Sequence, residues 1–249
     1  GLAVRDGATP PGEFAVWPDG DRAITGVFPA GFFSNVLSEK LNASFQSPYV
    51  PNGKSVSIEV YGDKNAAARF VPDFRLLQDG SFLKQPGLGW KRFSKDARDE
   101  RGYIELCTKL DNIRYPGWGG GDKGEPFKDP RSYFGVTRAY LHEVGESPKD
   151  ELKLVRRLFG TDAPTLDAVG ERYASVLGAA IAAWGQGKAT DEDARWIDWL
   201  VQKGLVTNSV KASPRLAELI AAYRKVDEEI QPARVVAGMA DLDGFDHAV

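Results

Sequence analysis

The chain has 249 residues, enough for one large domain or two ordinary ones and for a substantial hydrophobic core. It carries 32 Lys and Arg against 35 Asp and Glu. This near-balance argues against a nucleic-acid partner, because proteins that bind nucleic acid normally carry a strongly basic face. No apolar run approaches the roughly 20 residues that cross a bilayer, so the sequence predicts no transmembrane segment.

Up to about residue 146 the sequence predicts β-strands. Residues 55–60 alternate polar and apolar side chains with period two, which is typical of a half-buried strand. Turn signals such as Pro51-Asn52-Gly53 separate the further candidates, which lie at 12–17, 23–27, 44–50, 66–71, 101–109 and 133–141. Because no helical stretch lies between them, the pattern predicts a mainly β domain over residues 1–146, an antiparallel, jelly-roll-like β-sandwich.

The single cysteine, Cys107, falls inside a strand pattern and is predicted to be a buried, inert thiol. His142 and His247 are the only histidines, so the sequence predicts no zinc site of the Cys/His kind. No cofactor is predicted for this segment. A structural calcium ion is left as an open alternative, with Asp63, Asp73 and Asp111 as candidate ligands, although no spaced loop motif supports it.

A glycine-rich stretch, YPGWGGGDKGEPF, runs over residues 115–127. A phosphate-binding loop needs glycine directly before its lysine and Ser or Thr after it, whereas Asp122 precedes Lys123 and Gly124 follows it. Two interpretations remain open. Either the loop presents Trp118 to the flat face of a sugar, or Trp118 folds back as a lid on its own sandwich.

The sugar interpretation names a set of ligand-binding residues. Carbohydrate sites commonly pair an aromatic face with Asp, Asn and Arg side chains that bind the sugar hydroxyls. The predicted residues of this kind are Trp118, Tyr115, Asp111, Asn112, Arg114, Arg69 and Asp73. No catalytic residue is predicted, because sequence spacing does not reveal the two carboxylates, roughly 5–10 Å apart, of a glycosidase. A glycan-acting enzyme stays an open alternative.

After residue 146 the apolar period becomes helical. The expected helix starts are an N-cap at Ser147 followed by Pro148, a second start near Thr165, a cap at Thr190, and a cap at Ser213 followed by Pro214. Gly185 and Pro232 are expected to end the second and fourth helices. The pattern predicts a helical subdomain over residues 147–232. Residues 233–249 are expected to lead into a following domain that this chain lacks.

Several phrases, in this order, resemble one known family. They include DRAITGVFPAG at 21–31, LSEK at 37–40, the strand at 55–62, RSYFGV at 131–136 and ADLDGFDH at 240–247. Together they are similar to the middle region of planctomycete-type multidomain proteins. Those proteins combine a cytochrome-c-like domain with two planctomycete-specific domains of unknown function and an inserted carbohydrate-binding-like sandwich.

The resemblance implies an extracytoplasmic location, periplasmic or at the cell surface, and places any c-type haem elsewhere in the parent protein. It supplies no catalytic residues. The resulting hypothesis is a non-catalytic carbohydrate-binding module of a larger exported protein, with a poly- or oligosaccharide and the flanking domains as partners. The alternative is a structural spacer that docks flanking domains or subunits without a small-molecule ligand. Exposed apolar residues on the helices, such as Trp199 near Trp196, would then face the partner.

Overall fold

The computed structural model describes residues 8–72, 79–93, 101–111, 129, 131–143, 145–148, 153–159 and 165–231. Its strands are β1 (Glu13–Val16), β2 (Ile24–Phe28), β3 (Phe32–Phe33), β4 (Ser44–Gln46), β5 (Ser55–Gly62), β6 (Ala67–Pro72), β7 (Asp79–Phe82), β8 (Gln85–Phe93), β9 (Gly102–Cys107) and β10 (Phe134–His142). The α-helices are α1 (Lys153–Phe159), α2 (Leu166–Gly185), α3 (Asp191–Gln202) and α4 (Pro214–Glu229). The prediction of a β-rich first part followed by helices is confirmed.

The strands form three antiparallel sheets. β1 and β2 pair with each other, and two four-stranded sheets have the orders β3-β10-β5-β8 and β4-β9-β6-β7. Side chains of both four-stranded sheets meet in one hydrophobic cluster, to which β5 contributes Val56, Ile58 and Val60 and β9 contributes Ile104 and Leu106. These strands therefore bury one face of each sheet in a common core.

Both faces of β5 are buried, which corrects the prediction of a half-buried strand. The polar positions Ser57 and Glu59 alternate with the core residues as expected, yet Ser57 is fully covered and Glu59 is only 5% exposed. On the same side, Tyr61 packs against Phe28 and Phe33. The alternation correctly predicts which side chains share a face of β5. It does not predict that other elements cover the polar face.

Three of the predicted helix starts are confirmed. Thr165 accepts a hydrogen bond from the Ala168 backbone at the start of α2, and Ser213 caps α4 ahead of Pro214. Thr190 and Asp193 form a reciprocal capping box at the start of α3. Such caps satisfy backbone N–H groups that the first turn of a helix leaves without partners.

The first predicted helix start is wrong. Ser147 and Pro148 lie outside a helix, and α1 is described from Lys153 onward. Among the side chains of α1 that the structure describes, Leu158 near the C-terminal end is buried and joins a hydrophobic cluster with α2 and α3. Leu158, the residue that packs in the core, lies at the C-terminal end of the predicted segment. The cap-like residues at its N-terminal end therefore predict the helix start less well.

The helices pack directly on the first strands of the chain. Val27 of β2 lies in the same hydrophobic cluster as Trp196 and Ile197 of α3. Arg224 of α4 donates hydrogen bonds to backbone carbonyls of residues 17, 19, 20 and 22. Segments on both sides of the boundary predicted at residue 146 thus share a core cluster. The predicted tail, 233–249, lies outside the described residues.

A bilayer span requires a long and strongly apolar helix, and none of the helices in the described part of the chain meets that requirement.

Candidate functional site

Most of the predicted sugar site lies outside the described residues. This holds for Tyr115, Trp118, Asn112, Arg114 and Asp73. The choice between a sugar platform and a lid at the glycine-rich stretch therefore stays a prediction.

Arg69 and Asp111 are the two predicted site residues that the structure describes. Arg69 lies on β6, is 4% exposed, and donates through Nη2 to Glu105 of the neighbouring strand β9. Asp111 follows β9 and accepts a hydrogen bond from Asn42 Nδ2 at 3.1 Å. Partial desolvation raises the pKa of Asp111.

The Arg69 guanidinium is incompletely satisfied. Neither Nε nor Nη1 has a hydrogen-bond partner among the described residues, and both atoms are buried. Because the side chain is buried and paired with Glu105, it is poorly placed to meet a large ligand directly. The structure gives each of the two residues a partner within the fold, Glu105 for Arg69 and Asn42 for Asp111.

A second group of polar and aromatic side chains lies on the other four-stranded sheet, where sequence reasoning did not place a site. We call it the outer-face cluster. It consists of Ser57 and Glu59 on β5, Trp90 and Arg92 on β8, Thr137, Arg138, Tyr140 and His142 on β10, and Arg195 on α3. The β5 and β8 members occupy positions between the core residues, and the register pairs Glu59 with Trp90 and Ser57 with Arg92 and Tyr140.

A β-bulge builds the centre of this cluster. The β5–β10 register shifts between Val136 and Ala139, so Thr137 and Arg138 both lie opposite Glu59. Both side chains donate to the Glu59 carboxylate, and Arg138 does so through Nε and Nη2 at 3.0 Å each. Bulges commonly redirect a side chain in this way next to functional sites.

Helix α3 supplies the remaining partner of Glu59. Arg195 Nη1 and Nη2 lie 2.7 and 2.6 Å from the two carboxylate oxygens, a bidentate arrangement. Burial alone would raise the pKa of Glu59, but the hydrogen bonds from Arg138, Arg195 and Thr137 outweigh it and lower the pKa to about 2. Glu59 is therefore a permanent anion that holds two guanidinium groups in place.

Aromatic rings lie beside these guanidinium groups. The Trp90 and Tyr140 ring centroids are 5.4 Å apart, and the Arg138 guanidinium lies 5.2 Å from the centre of the Trp90 ring. Tyr140 is 42% exposed and Arg92 is exposed as well. At the end of β10, His142 Nε2 lies 2.8 Å from the Ser57 hydroxyl. His142 is the last residue of β10.

This chemistry suits binding better than bond cleavage. Glu59 is the one carboxylate of the cluster, and glycosidases normally need two. A carboxyl group with a pKa of about 2 is also a poor general acid or base near neutral pH. The Trp90 and Tyr140 rings, with the Arg138 guanidinium over Trp90, instead offer a stacking surface beside a charged group.

Metal-binding groups are absent from the part of the chain that the structure describes: no three His, Cys, Asp or Glu side chains come together there. Asp63, one of the candidate calcium ligands, accepts hydrogen bonds from Ser132 and from the backbone of Ala66 and Tyr133. Cys107 is fully buried, as predicted, and burial raises the pKa of its thiol to about 12.

Comparison of the chain with models of protein families, with curated proteins and with solved structures found no match in any of the three. The resemblance to planctomycete-type proteins therefore stays a prediction.

Proposed function

We propose that this chain is a non-catalytic carbohydrate-binding module of a larger exported protein. One observation carries the proposal: the Trp90 ring lies against the Arg138 guanidinium that Glu59 orders, and the 42% exposed Tyr140 packs beside Trp90. An aromatic ring can stack on the apolar face of a pyranose while neighbouring N–H groups bind its hydroxyls. Export is inferred from the family resemblance alone.

The proposal includes a jelly-roll-like β-sandwich as the scaffold. Two antiparallel four-stranded sheets with a common apolar core support it, since that is how sandwiches bury their inner faces. A sheet face of this kind is a rigid platform, on which side chains two residues apart along a strand keep a fixed spacing.

The affinity for one binding partner is expected to be modest. One or two stacked rings and a few hydrogen bonds contribute a few kcal/mol, which must offset the entropy that association costs. Such a module therefore works by holding its parent protein near a polymer that carries many copies of the same ligand.

Tyr140→Ala is the direct test of the outer-face cluster. The ring is exposed enough that its removal should leave the fold intact, and we expect binding to polysaccharides in affinity electrophoresis to weaken by about tenfold. Tyr49→Ala is the matched control, because Tyr49 is also a half-exposed tyrosine (51%) but lies outside the cluster. Equal retention of both variants and the parent chain would refute a role for the cluster.

A parallel variant, Trp118→Ala, tests the site predicted at the glycine-rich stretch. If that stretch binds the sugar, retention disappears while the melting temperature stays nearly unchanged. A large fall in melting temperature with unchanged retention identifies Trp118 as a lid.

The second candidate function, a docking spacer, has one observation in its favour. Trp199 on α3 is 39% exposed although its ring stacks on buried Trp196, with centroids 5.2 Å apart. An exposed indole on a well-anchored helix is a common interface residue. Size-exclusion chromatography with light scattering, with and without the flanking domains, tests this: complex formation that Trp199→Ser abolishes supports the spacer.

A further inference from the structure

We propose that the Asn52-Gly53 turn is a site of covalent modification, at which the Asn52 side chain cyclises onto the backbone and is converted to aspartate or isoaspartate. The turn joins Val50, which forms a β-bridge with Gly102, to the start of β5. This inference does not depend on the proposed carbohydrate-binding function. It rests on the exposure, the hydrogen bonding and the backbone conformation of two neighbouring residues.

The reaction is an intramolecular acyl transfer in which the nucleophile and the electrophile are already joined. The Gly53 backbone nitrogen loses its proton and bonds to Cγ of Asn52, while the side-chain amide group leaves as ammonia. A water molecule then opens the five-membered succinimide ring. If the bond from nitrogen to Cγ breaks, aspartate results, and if the bond from nitrogen to the backbone carbonyl carbon breaks, isoaspartate results. Water is the only co-reactant that these steps consume.

Asn52 is the one exposed residue among the five asparagines that the structure describes. Asn35 and Asn65 are only 1% and 4% exposed. The side-chain amides of Asn42 and Asn208 donate and accept hydrogen bonds within the fold. The Asn52 side chain forms no hydrogen bond with any described residue. It is therefore free to rotate toward the backbone, and water can reach the ring that forms.

The Gly53 nitrogen is available as the nucleophile. It donates no hydrogen bond to any residue in the described part of the chain. Gly53 also has φ +70°, a left-handed conformation that side chains strain and that turns of this kind assign to glycine. The shape of the turn thus places after Asn52 the one residue that has no side chain to obstruct the attack.

The modification changes both the charge and the length of the turn. It adds one negative charge to a chain whose net charge is -3. Isoaspartate also lengthens the main chain by one atom, because the chain then runs through Cβ and Cγ. Lys54, the next residue after the turn, already pairs with Glu143, and β5 begins at Ser55. Because the turn precedes the strand, we expect the fold to survive the modification.

The test is peptide mapping of the whole chain after incubation at about pH 8 and about 37 °C, since asparagine is thermolabile. Trypsin cleaves after Lys40 and Lys54, so one peptide, residues 41–54, contains both Asn42 and Asn52. Conversion replaces an amide NH₂ by a hydroxyl group, and tandem mass spectrometry locates the resulting mass increase. We expect the increase at Asn52 while Asn42 stays unmodified. Labelling with an isoaspartyl methyltransferase distinguishes isoaspartate from aspartate.

Asn52→Gln and Gly53→Ala are the matched variants. Glutamine must form a six-membered ring, and alanine places a methyl group beside the attacking nitrogen. Each change should slow the conversion at least about tenfold, which corresponds to about 1.4 kcal/mol of added barrier. Gly53→Ala also strains the turn, whereas Asn52→Gln changes only an exposed side chain and keeps the test independent of folding. Circular dichroism checks the fold of both variants.

The chain unfolded in guanidinium chloride provides the reference rate, because the turn then imposes no constraint on Asn52. We expect the folded chain to react within about tenfold of that rate. A slower reaction in the folded chain would mean that the turn protects Asn52, and it would overturn the inference. Equal conversion at Asn42 and Asn52, or an unchanged rate in Asn52→Gln, would overturn it as well.

Discussion

Glu39 is the residue whose ionisation bears most directly on stability. Burial raises its pKa to about 7, and the negative charges of Asp63, Asp227 and Asp129 add to the shift, while Arg131 opposes it. Its Oε1 is buried and has no hydrogen-bond partner among the described residues. The neighbouring Asp63 also has a raised pKa because of burial. Carboxyl groups of this kind cost free energy when they ionise in the folded state.

The pH dependence follows from the sign of that shift. The folded chain holds the Glu39 proton more tightly than the unfolded chain, whose pKa is near 4.5. The stabilisation that protonated Glu39 gives to the folded state is therefore complete below pH 4.5. It is lost as pH rises through 7, and the free energy of unfolding falls by at most about 3 kcal/mol. Urea denaturation at pH 5 and pH 8 measures this. From pH 5 to pH 8, the free energy of unfolding of Glu39→Gln should fall by less than that of the parent chain, whereas that of exposed Glu146→Gln should fall by as much. Parallel profiles for Glu39→Gln and the parent would contradict this.

The pKa of Glu59 is shifted in the opposite direction, downward. This residue also shows how far a single residue's surroundings can be predicted from the sequence. Alternation along β5 predicts its direction, but nothing nearby in the sequence indicates that Arg195, 136 residues downstream, binds it. The burial of Cys107 is predictable from the sequence, because an isolated cysteine inside a strand pattern needs no partner to be buried.

At the scale of elements, the start of α3 connects two helices. Thr190 and Asp193 cap each other's backbone N–H groups, and Asp193 also binds Arg157 of α1 at 2.8 Å. The hydrogen bonds from Thr190 and Arg157 lower the pKa of Asp193 against the effect of its burial. The capping box therefore stabilises both the first turn of α3 and its contact with α1.

Thr190→Ala should destabilise the chain by about 1–2 kcal/mol, because it removes one half of the capping box and loosens Asp193. Thr207→Ala, at an exposed non-helical position, should change the free energy of unfolding by less than about 0.5 kcal/mol. Urea denaturation monitored by circular dichroism measures both. A Thr190→Ala variant as stable as Thr207→Ala would show that tertiary contacts alone maintain the helix start.

The predicted elements agree well where the signal is local. The caps of α2, α3 and α4 are short patterns that act on the neighbouring turn, and their starts follow the sequence. The expected start at Ser147 fails, since Ser147 and Pro148 are not helical, and Leu158 near the end of α1 packs in the cluster with α2 and α3. A helix of this length depends on such an anchor.

At the scale of the whole molecule, β2 connects the sheets to the helices. Val27 is 1% exposed and packs among Trp196 and Ile197 of α3, and the Val27 backbone N–H donates to Asp198. A Cβ atom at the neighbouring Gly26 would lie 2.4 Å from Asp198 Oδ1, so a side chain there would displace the Asp198 carboxylate. This close approach couples the strand to the helix.

Val27→Ala should destabilise the chain by about 2 kcal/mol through lost contacts and a cavity. Because the cluster joins strand and helix, we expect the unfolding midpoint to fall both in tryptophan fluorescence and in far-ultraviolet circular dichroism. Val226→Ala, at a 61% exposed position on α4, is the control and should shift neither signal. A shift confined to one signal would show that the chain does not unfold as one cooperative unit.

Period and capping are local signals, so the sequence alone predicts that strands precede helices, which way the side chains of β5 point, and where α2, α3 and α4 start. It misses β3, β7 and β8. What covers the polar side of β5 depends on tertiary contacts. There, a bulge places Thr137 and Arg138 opposite Glu59, and α3 brings Arg195 to the same carboxylate. An ion pair across that distance along the chain leaves no periodic trace, because it forms only when separate elements pack together.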